Sequence, residues 1–161
     1  MLLLVRCKVV DVKLSSKNFS DIYLVSDFLQ WWLDEDYLQG EQLDTFKNYY
    51  RSYVSNFGHY IKYHYGQQTK ELFDELAEDK SKKILEVGCG CGTEALWLAI
   101  HGYSVTAIDV SDELLEVAKS RQVILEKLLG RDLPCEFISR SLLDITKNKY
   151  DVIWLEQTFH H

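Results

Sequence analysis

No run of apolar residues in the chain is long enough to cross a bilayer. The opening Met1-Leu2-Leu3-Leu4-Val5 is too short for a signal-peptide core, and Arg6, Lys8 and Asp11 interrupt it. The expected location is therefore the cytoplasm. There is no excess of positive charge either: 18 Lys and Arg face 25 Asp and Glu, a formal net charge of −7. Residues 1–80 carry 9 basic and 13 acidic side chains and residues 81–161 carry 9 and 12, so neither half is a basic arm. That balance argues against a nucleic-acid grip or an anionic membrane surface as the main partner. Cysteine is sparse, with Cys7, Cys89, Cys91 and Cys135 scattered along the chain, and no disulfide framework is needed at this length. No second Cys or His pair stands at zinc-like spacing beside Cys89 and Cys91, so no metal is expected. Proline is nearly missing, Pro134 being the single one.

What is present divides the chain in two. Its 161 residues are 47% apolar and 27% charged, a soluble globular composition. Of 21 aromatic residues, 15 lie between Phe19 and Phe73. From about Ser20 to Ala77 the pattern is helical. Phe28, Trp31, Trp32 and Glu35 fit one helix, with Ser20 or Asp21 as its cap. Phe46, Tyr49, Tyr50, Tyr53, Val54 and Phe57 follow helical spacing on a second, and Leu72, Phe73 and Leu76 sit on a third. Residues 4–14 alternate weakly, as a strand would. After the polar joint at 78–83 the texture changes. Lys83–Val87, Ser104–Ile108, Cys135–Ser139 and Tyr150–Leu155 read as strands. Thr93–Ile100 and a long helix from the Ser111 cap to Gly130 lie between them. Strands alternating with helices imply parallel βαβ units. The expected division is a helical cap over residues 1–80 and an α/β domain over residues 81–161.

The strongest local signal is Glu86-Val87-Gly88-Cys89-Gly90-Cys91-Gly92-Thr93, which follows a strand and opens a helix. Glycines there permit a tight turn and close approach of a ligand to bare backbone. Asp109 ends the next strand, where a carboxylate can accept hydrogen bonds from ribose hydroxyls. Together they describe a nucleoside-containing ligand across the strand ends. A nicotinamide dinucleotide fingerprint wants a third glycine where Thr93 stands, and no Lys follows the glycines as in a phosphate loop. Asp109 also suits a helix-entry cap, because Ser111 follows. Cys89 and Cys91 suit small fillers in a tight loop.

At these residues the chain resembles the class I S-adenosylmethionine-dependent methyltransferases. Ile84–Gly92 is similar to that family's first motif, Val105–Ser111 to its second, and Tyr150–Leu155 to its fourth. The resemblance covers about residues 80–161. It implies a Rossmann-like, doubly wound, mostly parallel sheet with strand order 3-2-1-4 and an aromatic-rich helical cap. It implies S-adenosylmethionine as cofactor, S-adenosylhomocysteine as product, and direct displacement at the methyl carbon. Gly88, Cys89, Gly90 and Gly92 then match the loop around the methionine part. Glu86 matches the acidic residue of that motif, Asp109 the ribose clamp, and Val110 an apolar neighbour of the adenine. Ser141 and Leu142 fall where an adenine contact follows the third strand, with Asp144 a weaker candidate. Glu156 and Gln157 fall at the end of the fourth strand, where family members contact the methionine amine and the methyl acceptor.

His160 and His161 are candidates for taking the acceptor's proton, or for packing against the next helix. His59 and His64 lie among tyrosines, where they suit packing or a pocket wall. Tyr60, Tyr63 or Tyr65 is expected to face the cofactor from the cap. The acidic balance makes a small molecule the expected acceptor. The alternatives are a cofactor-binding module inactive by itself and an NAD(P)-binding Rossmann protein. The family sheet has seven strands and this sequence supplies four. The chain is therefore expected to be the N-terminal part of a longer methyltransferase, with an exposed fourth strand able to pair in a homodimer.

Overall fold

The computed structural model describes residues 19, 22–51, 66–145 and 150–155. The element order is α1 (Val25–Asp34), α2 (Gly40–Tyr49), α3 (Gly66–Leu76), β1 (Lys83–Val87), α4 (Thr93–Ile100), β2 (Ser104–Asp109), α5 (Asp112–Leu129), β3 (Cys135–Ser139), a 3-10 turn (Leu142–Asp144) and β4 (Val152–Leu155). The expected strand at 4–14 lies outside the described residues.

The four strands form one parallel sheet in the order β3-β2-β1-β4, the order that the family resemblance implies. The chain runs outward from the centre through β1, β2 and β3, then returns to the other side of β1. Ile84, Val105, Ala107 and Phe137 belong to one large buried cluster with α4 and α5. Leu85, Val87 and Ile108, alternate residues of the same strands, form a second cluster with Ile138, Leu142, Ile145, Tyr150 and Leu155. All four strands run the same way, so Val87, Asp109, Ser139 and Leu155 end at one carboxyl edge. That edge, with β1 and β4 diverging from the centre, is where open α/β sheets hold ligands.

Every residue of α4 is buried. It lacks the polar stripe of a surface helix because it is covered twice, by the sheet below and by α1 above, with Phe73 of α3 against its Trp97. Each fully buried Leu or Ile on it contributes about 1.5–3 kcal/mol. The large cluster runs without interruption from Phe19, Phe28, Trp32 and Phe46 into Trp97, Leu115 and Phe137. The aromatic helices are thus one wall of the main core.

The start of α1 differs from expectation. Its N-cap is Leu24 in extended backbone, with no side-chain cap, and the candidate caps Ser20 and Asp21 lie outside the described residues. The chain entering α1 is held from α4 instead. Trp97 Nε1 donates to the Ile22 carbonyl at 3.0 Å and His101 Nε2 donates to the same oxygen at 2.9 Å.

Burial pushes the His101 pKa down from the usual 6.5. The hydrogen bond to Ile22 opposes this and Lys80 adds to it. Folding therefore favours the neutral ring, and the unfolded chain binds the proton more tightly. The contribution is complete above the usual value and is lost as pH falls through it toward the folded value. The melting temperature of wild type should fall more steeply between about pH 7.5 and about pH 5 than that of His101→Gln, which keeps a donor but cannot titrate. Parallel pH profiles would show that the anchor does not sense protons.

Candidate functional site

The glycine segment turns from β1 into α4 in a tight wrap. Gly88 and Cys89 both donate backbone N–H bonds to the Ile108 carbonyl, at 2.8 and 3.0 Å. Gly92 donates to the Cys89 carbonyl at 2.8 Å, and Gly90 donates to Asp109 Oδ2 at 2.8 Å. Four N–H groups between Gly88 and Gly92 are thus engaged in shaping the loop. Two glycines are demanded by space as well as by φ. At Gly90 (φ +51°) a Cβ would collide with the Tyr49 phenol. At Gly92 (φ +72°) it would lie 2.6 and 2.7 Å from the Phe137 ring.

Asp109 lies at the carboxyl end of β2 and does two things. Oδ2 holds the Gly90 N–H, and Oδ1 accepts from Ser111 N at 2.9 Å, turning the chain into α5. Ser111 is the N-cap, accepting from Leu114 N. Both readings of Asp109, helix entry and ligand clamp, are thus geometrically compatible. Each carboxylate oxygen retains a second acceptor position for a hydroxyl. Val110, next along, is 76% exposed, an apolar side chain left in solvent beside the clamp.

Glu86 is buried at the end of β1, on the same sheet face as Ile84. Glu94, in the first turn of α4, is buried too. The charge shows at the Cys89 thiol, which is pushed well up, first by burial, then by Glu86, with Asp109 and Glu94 adding. Burial likewise raises Cys91 to about 12, against the opposing pull of Arg121. Both thiols stay protonated and join the core, as fillers would. Cys89 therefore presents only backbone to the loop's open side.

After β3, Ser141 caps the short 3-10 turn, its hydroxyl accepting from Leu143 N at 3.3 Å. Leu142 is partly buried against Leu85, Val87 and Ile108, while Leu143 is 89% exposed and Asp144 is exposed as well. β4 begins at Val152 rather than Tyr150. The preceding Asp151 instead brackets the start of β1: its N–H donates to the Lys83 carbonyl and its Oδ2 accepts from Lys83 N. Glu156, Gln157, His160 and His161 lie outside the described residues, as do His59, Tyr60, His64, Tyr63 and Tyr65. Among the described residues, the tyrosines that meet the loop are Tyr49, against Gly90, and Tyr50, whose Oη shares a 2.6 Å hydrogen bond with Thr93 Oγ1. Nothing in the local pattern singles out Tyr49 and Tyr50 from the other tyrosines of the segment.

The donor set favours one kind of ligand. A pyrophosphate needs open N–H groups at the helix start and no competing anion. Here four of the loop N–H groups, those of Gly88, Cys89, Gly90 and Gly92, are bonded within the fold, and Glu94 occupies the first turn. Glu86, Glu94 and Asp109 together suit a ligand with positive charge and hydroxyls, and bare backbone at Gly90 and Gly92 suits close approach. These residues fit S-adenosylmethionine. Among the described residues no cluster of three His, Cys, Asp or Glu side chains is placed to hold a metal.

Comparison with known proteins agrees with this chemistry. Residues 84–161 match the family model described as "Methyltransferase domain". The chain is 30% identical over 112 residues to the S-adenosyl-L-methionine-dependent Diels-Alderase iccD of Talaromyces variabilis, covering 51% of this chain and 38% of that protein. It is 33% identical over 96 residues to Methyltransferase GfsG of Streptomyces halstedii, covering 59% and 34%. It is 33% identical over 82 residues to a ubiquinone biosynthesis O-methyltransferase of Coxiella burnetii, covering 51% and 33%. The chain thus spans about a third of the length of the curated relatives it matches.

Proposed function

We propose that through residues 84–161, which match the methyltransferase-domain model, the chain is a class I S-adenosylmethionine-dependent methyltransferase that binds S-adenosylmethionine and serves methyl transfer to a small-molecule acceptor. The observation that carries the reading is the acidic, inward-bonded glycine loop facing Asp109. In this reading Gly88, Gly90 and Gly92 bring bare backbone to the methionine part, and Glu86 draws its positively charged end. Asp109 takes the ribose hydroxyls, and Val110 and the Ser141–Leu142 turn flank the adenine. Tyr49 closes the loop from the cap side. Bound there, the cofactor supplies a methyl group already activated by its sulfonium.

The protein's task is then to align an acceptor and exclude water. Leu155 pairs in register with Val87, so β4 ends at the same edge as the loop. Glu156 is assigned to the cofactor at its methionine amine, Gln157 to the neighbouring acceptor side, and His160 and His161 to taking the acceptor's proton. Residues 1–80 act as the cap over residues 81–161. The names of the matched O-methyltransferases point to a small-molecule acceptor, and the acidic charge disfavours nucleic acid. No helix among the described residues is long and apolar enough to cross a membrane, and we place the protein in the cytoplasm.

Calorimetry with S-adenosylmethionine and with NAD tests the cofactor. Binding of the first and no heat with the second is expected; the reverse would sink the assignment. The second reading is cofactor binding without methyl transfer. It is favoured by the relative named for a cycloaddition rather than a methyl transfer. A methylation assay on a metabolite panel separates the two.

A further inference from the structure

Arg121 stands in the middle of α5 with none of its surface exposed. Its guanidinium carbon lies 4.6 Å from the Trp32 ring centre, 4.7 Å from that of Phe46 and 5.9 Å from that of Phe28. All three rings belong to α1 and α2. From inside this cage Nη1 donates to the Cys91 carbonyl at 2.6 Å and to Thr93 Oγ1 at 2.8 Å. Thr93 is in turn bonded to Tyr50, at the end of α2. One cation thus touches the cap through its face and the glycine loop through its edge.

Stability alone does not account for it. Taking a charge out of water is costly, and an apolar side chain of similar volume often serves a core as well or better. What an apolar residue could not supply is the pair of directed bonds that fixes the carbonyl of Cys91 and the hydroxyl of Thr93 while the aromatic rings hold the guanidinium plane. We propose that Arg121 is a positioning residue that couples the docking of α1 and α2 to the shape of the cofactor loop. A disturbance of the cap then reaches Gly90–Thr93 through the guanidinium. The inference rests on the reading of that loop as the S-adenosylmethionine site.

The test is hydrogen exchange at residues 88–96, with and without S-adenosylmethionine, in wild type, Arg121→Met and Arg121→Lys, each also carrying Trp32→Leu. Arg121→Met keeps the cage filled, so it should stay folded while its loop amides exchange about tenfold faster and its cofactor affinity falls about tenfold. Trp32→Leu should speed loop exchange in wild type and add nothing further in Arg121→Met, the signature of a coupled pair. Arg121→Lys should fall between. Equal effects of Trp32→Leu in every background would overturn the proposal, as would unchanged loop exchange in wild type carrying Trp32→Leu. If wild type shows no calorimetric binding of S-adenosylmethionine, the cofactor reading fails; the ligand-free exchange still decides the coupling.

Discussion

Gly92→Ala should nearly abolish cofactor binding and lower the melting temperature by roughly 10 °C. Two costs combine. Alanine at φ +72° is in the left-handed region, which costs an L-residue about 1–2 kcal/mol. Its Cβ would also sit 2.6 and 2.7 Å from Phe137 ring atoms and 3.0 Å from the Ala118 Cβ. Neither neighbour yields easily, since both belong to the main buried cluster. Overpacking of that kind costs about 1–3 kcal/mol. Relief requires the loop to lift from β3 and α5, which moves Gly90 away from Asp109. Gly130→Ala is the matched control: φ is +66°, but nothing lies within 4 Å of the added carbon. It should show the φ cost alone and leave binding intact. Equal melting shifts in the two variants would mean that the loop is not wedged against Phe137.

Asp109→Ala is expected to weaken S-adenosylmethionine binding on the order of 100-fold, because hydrogen bonds to a charged acceptor are worth about 1.5–3 kcal/mol each. Part of the loss is direct, through the ribose. Part comes from the loop, since the variant also leaves Gly90 N and Ser111 N without the carboxylate that joins them. Asp109→Asn separates the parts. It offers one acceptor oxygen, so it can hold one of the two N–H groups while its amide nitrogen faces the other. Calorimetry should place it between wild type and alanine. An affinity for Asp109→Ala equal to wild type would remove Asp109 from the ribose.

Much of the α/β half is legible in the sequence because its boundaries carry local chemistry. Gly92 opens α4, Ser111 caps α5, Gly130 closes it in a left-handed turn, and Asp109 ends β2. The helices before residue 80 have few such marks. α1 starts at Val25 because Ile22 is pinned by Trp97 and His101, 75 and 79 residues further on, and no local pattern records that. The same distance conceals Tyr49: its tie to Gly90 exists only after α2 has docked on α5. Arg121 is a different case. The buried side of α5 runs Leu115, Ala118, Arg121, Leu125, so helical spacing alone places a charge on the inward stripe. A polar residue caught in that register is a signal in its own right. Ser141 reads both ways in the sequence, as loop polarity or as an adenine contact, and in the structure its hydroxyl caps the 3-10 turn by accepting from Leu143 N.

The complete burial of α4 also has a consequence for biosynthesis. Translation delivers α1 and α2 first, with Phe28, Trp32 and Phe46 facing a partner that has not been made. At about 5–20 residues per second, the ribosome takes several seconds to reach Leu129, the end of α5. During that interval the nascent chain carries an uncovered aromatic stripe, the kind of surface that chaperones hold and that neighbouring chains stick to. The helices that quiet this surface are α4, led in by the glycine loop, and α5, whose Arg121 the three rings enclose. Whatever selects for prompt formation of the ligand site therefore also shortens the most vulnerable period in the life of the chain.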